Sequence, residues 1–323
     1  MANSTSSENA HQVVCITVEA VIAVCAVLGN ALVIGVVKRN RCLRNVTFCC
    51  IVSLALADMS VGLVVIPISI VVKLGVRTHF FSCLFMCCNL IVFTTASILS
   101  LLAIAVDRYL RIKMPTRYKM MTTPRNIWLC LGSCWIVSLI VGFLPMFGWN
   151  KQASMQANSS FANIECQFPT VMSMDYMVFF NFFGWVLLPL LLISGLYLEI
   201  FYILRKHLKQ GITKSRNGGI FYGREYKIAK SLAVVVFLFA FCWLPISFIN
   251  CLTYFWPGKW HGQVYTAAID CSILLSHAHS AMNPVVYAFK IEKFRETYRD
   301  IVCKCALLRS SESVTFSDEI SLE

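Results

Sequence analysis

The chain has 323 residues, of which 58% are hydrophobic and only 14% charged, and its mean hydropathy is +0.70. That composition excludes an ordinary soluble domain and predicts a membrane protein. A net charge of +12, from 28 basic and 16 acidic residues, is a topology signal in such a chain and gives no support to nucleic-acid binding.

A polar head, residues 1–12, precedes the first of seven apolar stretches, which run roughly 13–37, 46–72, 80–106, 127–147, 176–204, 231–256 and 264–289. Each reaches the ~20 residues that a helix needs to span the hydrocarbon core. The expected architecture is an all-α membrane protein, a seven-transmembrane helix bundle over 13–289 forming one domain. The first apolar run is too long for the core of a cleavable signal peptide, so the first span is expected to direct insertion itself.

Orientation follows from the connections. Placing 38–45, 107–125, 205–230 and everything from 290 onward on one side collects 24 of the 28 Lys and Arg residues, leaving Lys73, Arg77, Lys151 and Lys259 for the other. This bias predicts a multi-pass plasma-membrane protein with its N-terminus extracellular and its C-terminus cytoplasmic. The glycosylation patterns at Asn3-Ser4-Thr5 and Asn158-Ser159-Ser160 then lie outside, whereas Asn45-Val46-Thr47 faces the cytoplasm, where the pattern means nothing.

Glu19, Asp58, Asp107 and Asp270 stand out along the spans, because ionisable groups in a membrane are costly and usually functional. Most of the 16 cysteines lie within spans and read as small apolar residues. Cys83 and Cys166 differ: one ends the third span and the other lies in the following external loop, an oxidising location where a bridge between them is expected. Pro67, Pro145, Pro189, Pro245 and Pro284 fall inside spans and predict kinks.

Beyond the seventh span, 290–304 alternates charges with Phe294 and Tyr298 and predicts a short amphipathic eighth helix on the inner leaflet. Cys303 and Cys305 follow as acylation (palmitoylation) candidates, and 305–323, rich in Ser and acid, is expected to be disordered.

Asp107-Arg108-Tyr109 closes the third span, Cys242-Trp243-Leu244-Pro245 lies in the sixth, and Asn283-Pro284-Val285-Val286-Tyr287 ends the seventh. Together with Gly29-Asn30, Leu54-Ala55-Leu56-Ala57-Asp58, Trp135 and Pro189, one feature per span in order, they resemble the rhodopsin-like G-protein-coupled receptors over nearly the whole chain. Ser276-His277, Asn250, Phe168 just past Cys166, and Phe221-Tyr222-Gly223-Arg224-Glu225 are similar to the adenosine receptors in particular. Gln167 before Phe168 is similar to the third of their subtypes.

Ser276, Ser280, Asn283 and Tyr287 share one face of the seventh span, with Ile273 and His277 beside them, so a polar seam faces the bundle. Phe239, Trp243, Ile246 and Asn250 form a stripe on the sixth of a kind that is more often core packing than pocket, until the amide at its end is weighed: buried, it needs a partner. The resemblance implies that Asn250 takes the adenine edge, Phe168 stacks on the ring and Ile246 and Leu90 wall it. Thr94, Ser276 and His277 then meet the ribose, with Asn181 on the fifth span nearby. Glu19 has no partner in its own span, and His277 is the expected one.

Asp58 has no basic residue at its depth, leaving a cation, water or a proton to satisfy it. The resemblance implies an allosteric sodium ion held with Ser97, Trp243 and Asn283, and the chain departs from the pattern at His279. It implies further that Arg108, beside Asp107 and Tyr109, contacts Glu225 at rest. The implied partners are adenosine, a heterotrimeric G protein of the inhibitory class, arrestin, receptor kinases and the bilayer. No metal-ligand spacing or nucleophile constellation suggests an enzyme. A channel or transporter is the rival outside receptors, opposed by the missing internal repeat, and a peptide receptor is the rival within them. An amine site is disfavoured by Leu90, where amine receptors carry an aspartate, and retinal by His277, where opsins carry a lysine.

Overall fold

A computed structural model describes residues 2–39, 45–153, 164–211, 216–259, 262–290, 295, 296 and 299. Seven long helices follow in chain order: α1 (Ala2–Arg39), α2 (Val46–Lys73), α3 (Phe80–Lys113), α4 (Pro124–Phe147), α5 (a π-helical run Tyr176–Leu187 continued by Leu188–Gly211), α6 (Arg216–Phe255) and α7 (Gln263–Lys290). The first six are apolar enough to cross a membrane. α7 has the length, but its buried Ser272, Ser276, His277, His279, Ser280 and Asn283 dilute its hydropathy.

Several helices outrun the apolar stretches that announce them. α3 continues to Lys113, α5 to Gly211, and α6 starts at Arg216, because hydropathy marks only the part of a helix that lies in hydrocarbon while Lys and Arg extend it into the headgroups. The polar head is likewise helical from Ala2 and continuous with α1. The expected acylation sites Cys303 and Cys305, the tail 305–323, Asn158 and nearly all of the expected eighth helix lie outside the described residues.

α3 is the pillar, packing on α2, α4 and α5, while α1 joins α2 to α7 and α6 joins α5 to α7 to close the ring. Without a hydrophobic drive between helices in lipid, close backbone approach and interhelical hydrogen bonds hold such a bundle. A Cβ on Gly142 would collide with the Val92 side chain and lie 2.7 Å from its backbone nitrogen, so α4 touches the α3 main chain there. Trp135 Nε1 donates to Ser53 Oγ at 3.0 Å, and Ser53 and Ser100 hydroxyls share a bond of 3.0 Å, which ties α2, α3 and α4. Asn30 Nδ2 donates to Ser280 O at 2.8 Å across α1 and α7. The outward faces expose Trp128, Ile140, Leu198, Phe237 and Phe248, a belt that suits lipid contact.

Proline shapes the backbone in two ways. Pro245 and Pro284 sit inside α6 and α7. Pro67 follows a π-helical turn, Val61–Val65, and Pro189 follows the run Tyr176–Leu187. A proline ring excludes the carbonyl four residues earlier and offers no N–H to it, and a locally widened turn accommodates both losses.

At one end of the bundle, strands β1 (Arg77–Thr78) and β2 (Ile164–Glu165) pair antiparallel, Arg77 opposite Glu165. Cys166 N also donates to Val76 O at 3.2 Å, and Cys166 is bonded to Cys83 as expected. This disulfide end lies opposite the Arg108 end of the bundle.

Candidate functional site

Near the disulfide end, Glu19 of α1 is fully buried. Its Oε1 lies 3.4 Å from His277 Nδ1 of α7 and 3.1 Å from Lys73 Nζ of α2, and it accepts from Ser69 Oγ at 3.2 Å. Lys73 is therefore no solvated loop charge: it turns into the bundle and also reaches Asp270 at 3.6 Å. Glu19 Oε2 has no hydrogen-bond partner among the described residues.

The remaining expected ligand residues stand on several elements. Leu90 and Thr94 come from α3, Asn181 from the π-helical run of α5, Trp243, Ile246 and Asn250 from α6, Ile273 and Ser276 from α7, and Phe168 opens a short helix, Phe168–Val171, directly after the disulfide. Leu90, Phe168, Asn181, Trp243, Ile246, Asn250 and Ile273 are half-buried, whereas Thr94, Ser276 and His277 are buried. Thr94 and Ser276 hydroxyls donate to Leu90 O and Ile273 O, each at 2.7 Å. Their protons are thus committed to their own helices, and only their lone pairs remain to receive a hydroxyl from outside. Among the described residues, Glu19–His277 is the one side-chain pair that polar contact forms between two members of this set.

At the waist, Asp58 is fully buried and accepts from Asn283 Nδ2 at 2.7 Å and from Ser97 and Ser280 Oγ at 3.3 Å each. His279 Nδ1 stands 3.9 Å from the same carboxylate. Trp243 stacks on Phe239 at 6.1 Å, and Phe239 meets the His279 ring edge-on at 5.1 Å, so the aromatic stripe of α6 leans on this cluster. Asn283 Oδ1 has no hydrogen-bond partner among the described residues. With two carboxylate oxygens, two hydroxyls and a spare amide oxygen converging, the residues present fit a small oxygen-seeking cation.

The Arg108 end is closed by charge. Arg108 and Glu225 are each about 2% exposed, and Arg108 donates to Glu225 Oε2 at 2.8 Å across α3 and α6. Arg111 Nε approaches the other oxygen at 3.3 Å. Asp107 lies 3.6 Å from Arg108 and accepts from Thr47 and, at 2.9 Å, from Tyr118 in the short helix Pro115–Met121. Burial raises the Tyr118 phenol well above its ordinary range, and the Asp107 charge adds to the effect, so the proton stays on Tyr118 as a donor. Tyr109 points away from this network, donating to Glu199 of α5 at 3.2 Å. Tyr287 is buried in the adjoining core.

Residues 29–287 match the family model described as 7 transmembrane receptor (rhodopsin family). The chain belongs to that family. Over 308 residues, 95% of each chain, it is 54% identical to "Adenosine receptor A3" of Ovis aries. It is 54% identical over 304 residues to the protein of that name in Canis lupus familiaris, covering 94% of this chain and 95% of the relative, and 53% identical over 321 residues to that of Bos taurus, covering 99% of each. Such identity groups this rhodopsin-family receptor with the adenosine receptors, a family of receptors and not of enzymes.

Three parts of the receptor's site escaped the sequence. Lys73 lies at the end of its span, where a snorkelling, solvated reading is the default. Ser280 was legible as part of the polar seam but not as a donor to Asp58, and Ser69 looks like any small polar residue in a span. The spacing Glu19-to-His277 carried a signal only because neighbouring first and last helices follow from the resemblance.

Proposed function

We propose that this chain is a plasma-membrane receptor for extracellular adenosine that couples to heterotrimeric G proteins of the inhibitory class and so lowers adenylate cyclase activity. The N-terminus lies outside and the C-terminus in the cytoplasm, a reading supported by the 24 basic residues gathered on one side. Asn3 and Asn158 are then glycosylated, Cys303 and Cys305 acylated, and arrestin and receptor kinases engage the cytoplasmic end.

The observation that carries the ligand assignment is the half-buried Asn250 amide, which makes no side-chain hydrogen bond among the described residues, on the same half of the bundle as the Glu19–His277 pair. An amide offers a donor and an acceptor side by side, the pattern that matches the adenine N6/N7 edge. Phe168 stacks on the base, Ile246 and Leu90 flank it, and Trp243 sits below, beside the waist cluster. His277, oriented at Nδ1 by Glu19, presents its other nitrogen to the ribose, where Thr94 and Ser276 act as acceptors. Asn181 and Ile273 complete the wall.

Binding near Trp243 biases the Pro245 bend of α6, and the Arg108–Glu225 contact is what that motion breaks. Sodium at Asp58, with Ser97 and Asn283, opposes it from the resting side. Competition of adenosine, inosine and a xanthine against one radioligand tests the reading: adenosine must displace more tightly than inosine, which lacks the exocyclic amine that Asn250 reads. Equal displacement by the two overturns the base assignment. Agonist binding titrated with sodium chloride against a choline control tests the ion, since the affinity must fall with sodium alone.

A further inference from the structure

At the disulfide end, outside the residues assigned above to the nucleoside, three potential metal ligands converge from two helices. His11 and Cys15 lie one turn apart on α1, and Asp270 faces them from α7. Cys15 Sγ stands 3.9 Å from His11 Nδ1, and the same nitrogen stands 3.8 Å from Asp270 Oδ2. All three ligand atoms lie within 4.8 Å of one another. Tetrahedral zinc, with bonds of about 2.3 Å to sulfur and about 2.0–2.2 Å to nitrogen and oxygen, sets its ligands on the order of 3.5 Å apart. The His11 pairs come within a few tenths of an ångström of that spacing, and rotation of the Cys15 or Asp270 side chain by up to about 1.3 Å closes the remainder.

We propose that His11, Cys15 and Asp270 form a binding site for a zinc-class divalent cation, with water in the fourth position. The donor set, one thiolate, one imidazole and one carboxylate, selects a borderline-soft ion such as Zn²⁺ over Mg²⁺ or Ca²⁺, which prefer all-oxygen shells. His11 is half exposed and supplies the access route, while Cys15 is buried and anchors the ion. Gln12 Nε2 donates to the Lys73 carbonyl at 2.7 Å and holds this turn of α1 against α2. On binding, the Cys15 thiol gives its proton to solvent and the sulfur electron pair goes to the metal.

The site has a built-in readout. Lys73 sits 3.6 Å from Asp270 and 3.1 Å from Glu19, so it divides its charge between the metal ligand and the carboxylate that orients His277. Zinc on Asp270 repels the ammonium and drives it onto Glu19, which competes with His277 for Oε1. Zinc therefore acts as a negative modulator of ribose-bearing ligands. This coupling rests on the nucleoside reading above, whereas metal binding itself does not.

Calorimetric titration of purified full-length receptor with Zn²⁺, without nucleoside, tests the site directly. One equivalent is expected, weakened more than about tenfold in His11→Gln, Cys15→Ser and Asp270→Asn alike, with Mg²⁺ silent. Lys73→Gln, which removes the competing cation, is expected to tighten zinc. Co²⁺ replacing Zn²⁺ must give a thiolate-to-metal absorption band that Cys15→Ser abolishes. Unchanged zinc affinity in the three variants, or a cobalt spectrum indifferent to Cys15, overturns the site. Zinc that binds as described but leaves agonist affinity unmoved overturns only the coupling through Lys73.

Discussion

The two ends of this bundle satisfy their buried polar groups in opposite ways. At the Arg108 end the charges answer one another: Arg108 and Arg111 share Glu225, and Thr47 and Tyr118 share Asp107. At the disulfide end the hydroxyls of Thr94 and Ser276 are turned into their own helices, Glu19 keeps one oxygen without a hydrogen bond, and Asn250 is left without a side-chain partner among the described residues. The Arg108 end holds its charges in ion pairs in the resting fold, with Arg108 Nε and Tyr197 Oη left without a hydrogen bond among the described residues, whereas the disulfide end leaves a carboxylate oxygen and a half-buried amide for something added. A buried polar group left unmatched costs on the order of 1–3 kcal/mol, so the second arrangement persists where a ligand recovers that cost.

The largest effect expected from this contrast is at Asn250. Asn250→Ala should weaken adenosine by about 10–100-fold, the equivalent of 1–3 kcal/mol, in radioligand competition on receptor whose surface level is fixed by antibody staining. Wild-type affinity in the variant would break the contrast at its open end. The closed end is tested in reverse. Glu225→Ala removes the acceptor from a buried arginine, a change worth about 3–5 kcal/mol to the state that held the pair. Agonist-free nucleotide exchange on an inhibitory G protein should rise several-fold, while adenosine affinity rises or holds; a silent variant means that the contact is packing and not a latch.

A finer test divides the open end against itself. Glu19→Gln keeps the size of the side chain but removes the charge facing His277 and Lys73. Ribose-bearing agonists should weaken roughly tenfold, a charge-assisted hydrogen bond being worth about 1.5 kcal/mol, and xanthine antagonists, which carry no ribose, should be unchanged. Equal loss for both classes assigns Glu19 to the frame alone.

How much of this was legible beforehand depends on what each residue had to declare. The seven helices were plain from hydropathy, because the bilayer imposes one length and one composition; their ends were not, because helix continues where hydrocarbon stops. Glu19, Asp58 and Arg108 announced themselves as charges in the wrong solvent. Some partners, His277, Glu225, Ser97 and Asn283, were reached with the help of the resemblance, but others were not: Ser280 and Ser69 are neutral and unremarkable in a span, and Lys73 sat at a boundary where charge is ordinary. The π-helical run before Pro189 was also hidden, since a proline reports that the ladder must break and not how the backbone widens around it. Asn250 was visible only as an amide ending an aromatic stripe, and the resemblance gave it a role.

The smallest effect probes the frame that both ends share. Trp135 donates from α4 to Ser53 on α2, and Ser53 in turn bonds Ser100 on α3, so one indole nitrogen joins three helices between the ligand half and the latch. Trp135→Phe keeps most of the ring and deletes the donor. Interhelical hydrogen bonds in membranes average only about 0.6 kcal/mol, and a protein of this size loses ~1–2 °C in Tm for such a change. Ser53 and Ser100 can still bond each other, which limits the damage further. Neither adenosine affinity nor basal exchange should move, because the bond lies in the frame and not in the elements that differ between states. A Trp135→Phe receptor with altered basal activity would mean that the α2–α3–α4 tie moves with the switch, and that the two ends are coupled through the frame as well as through α6.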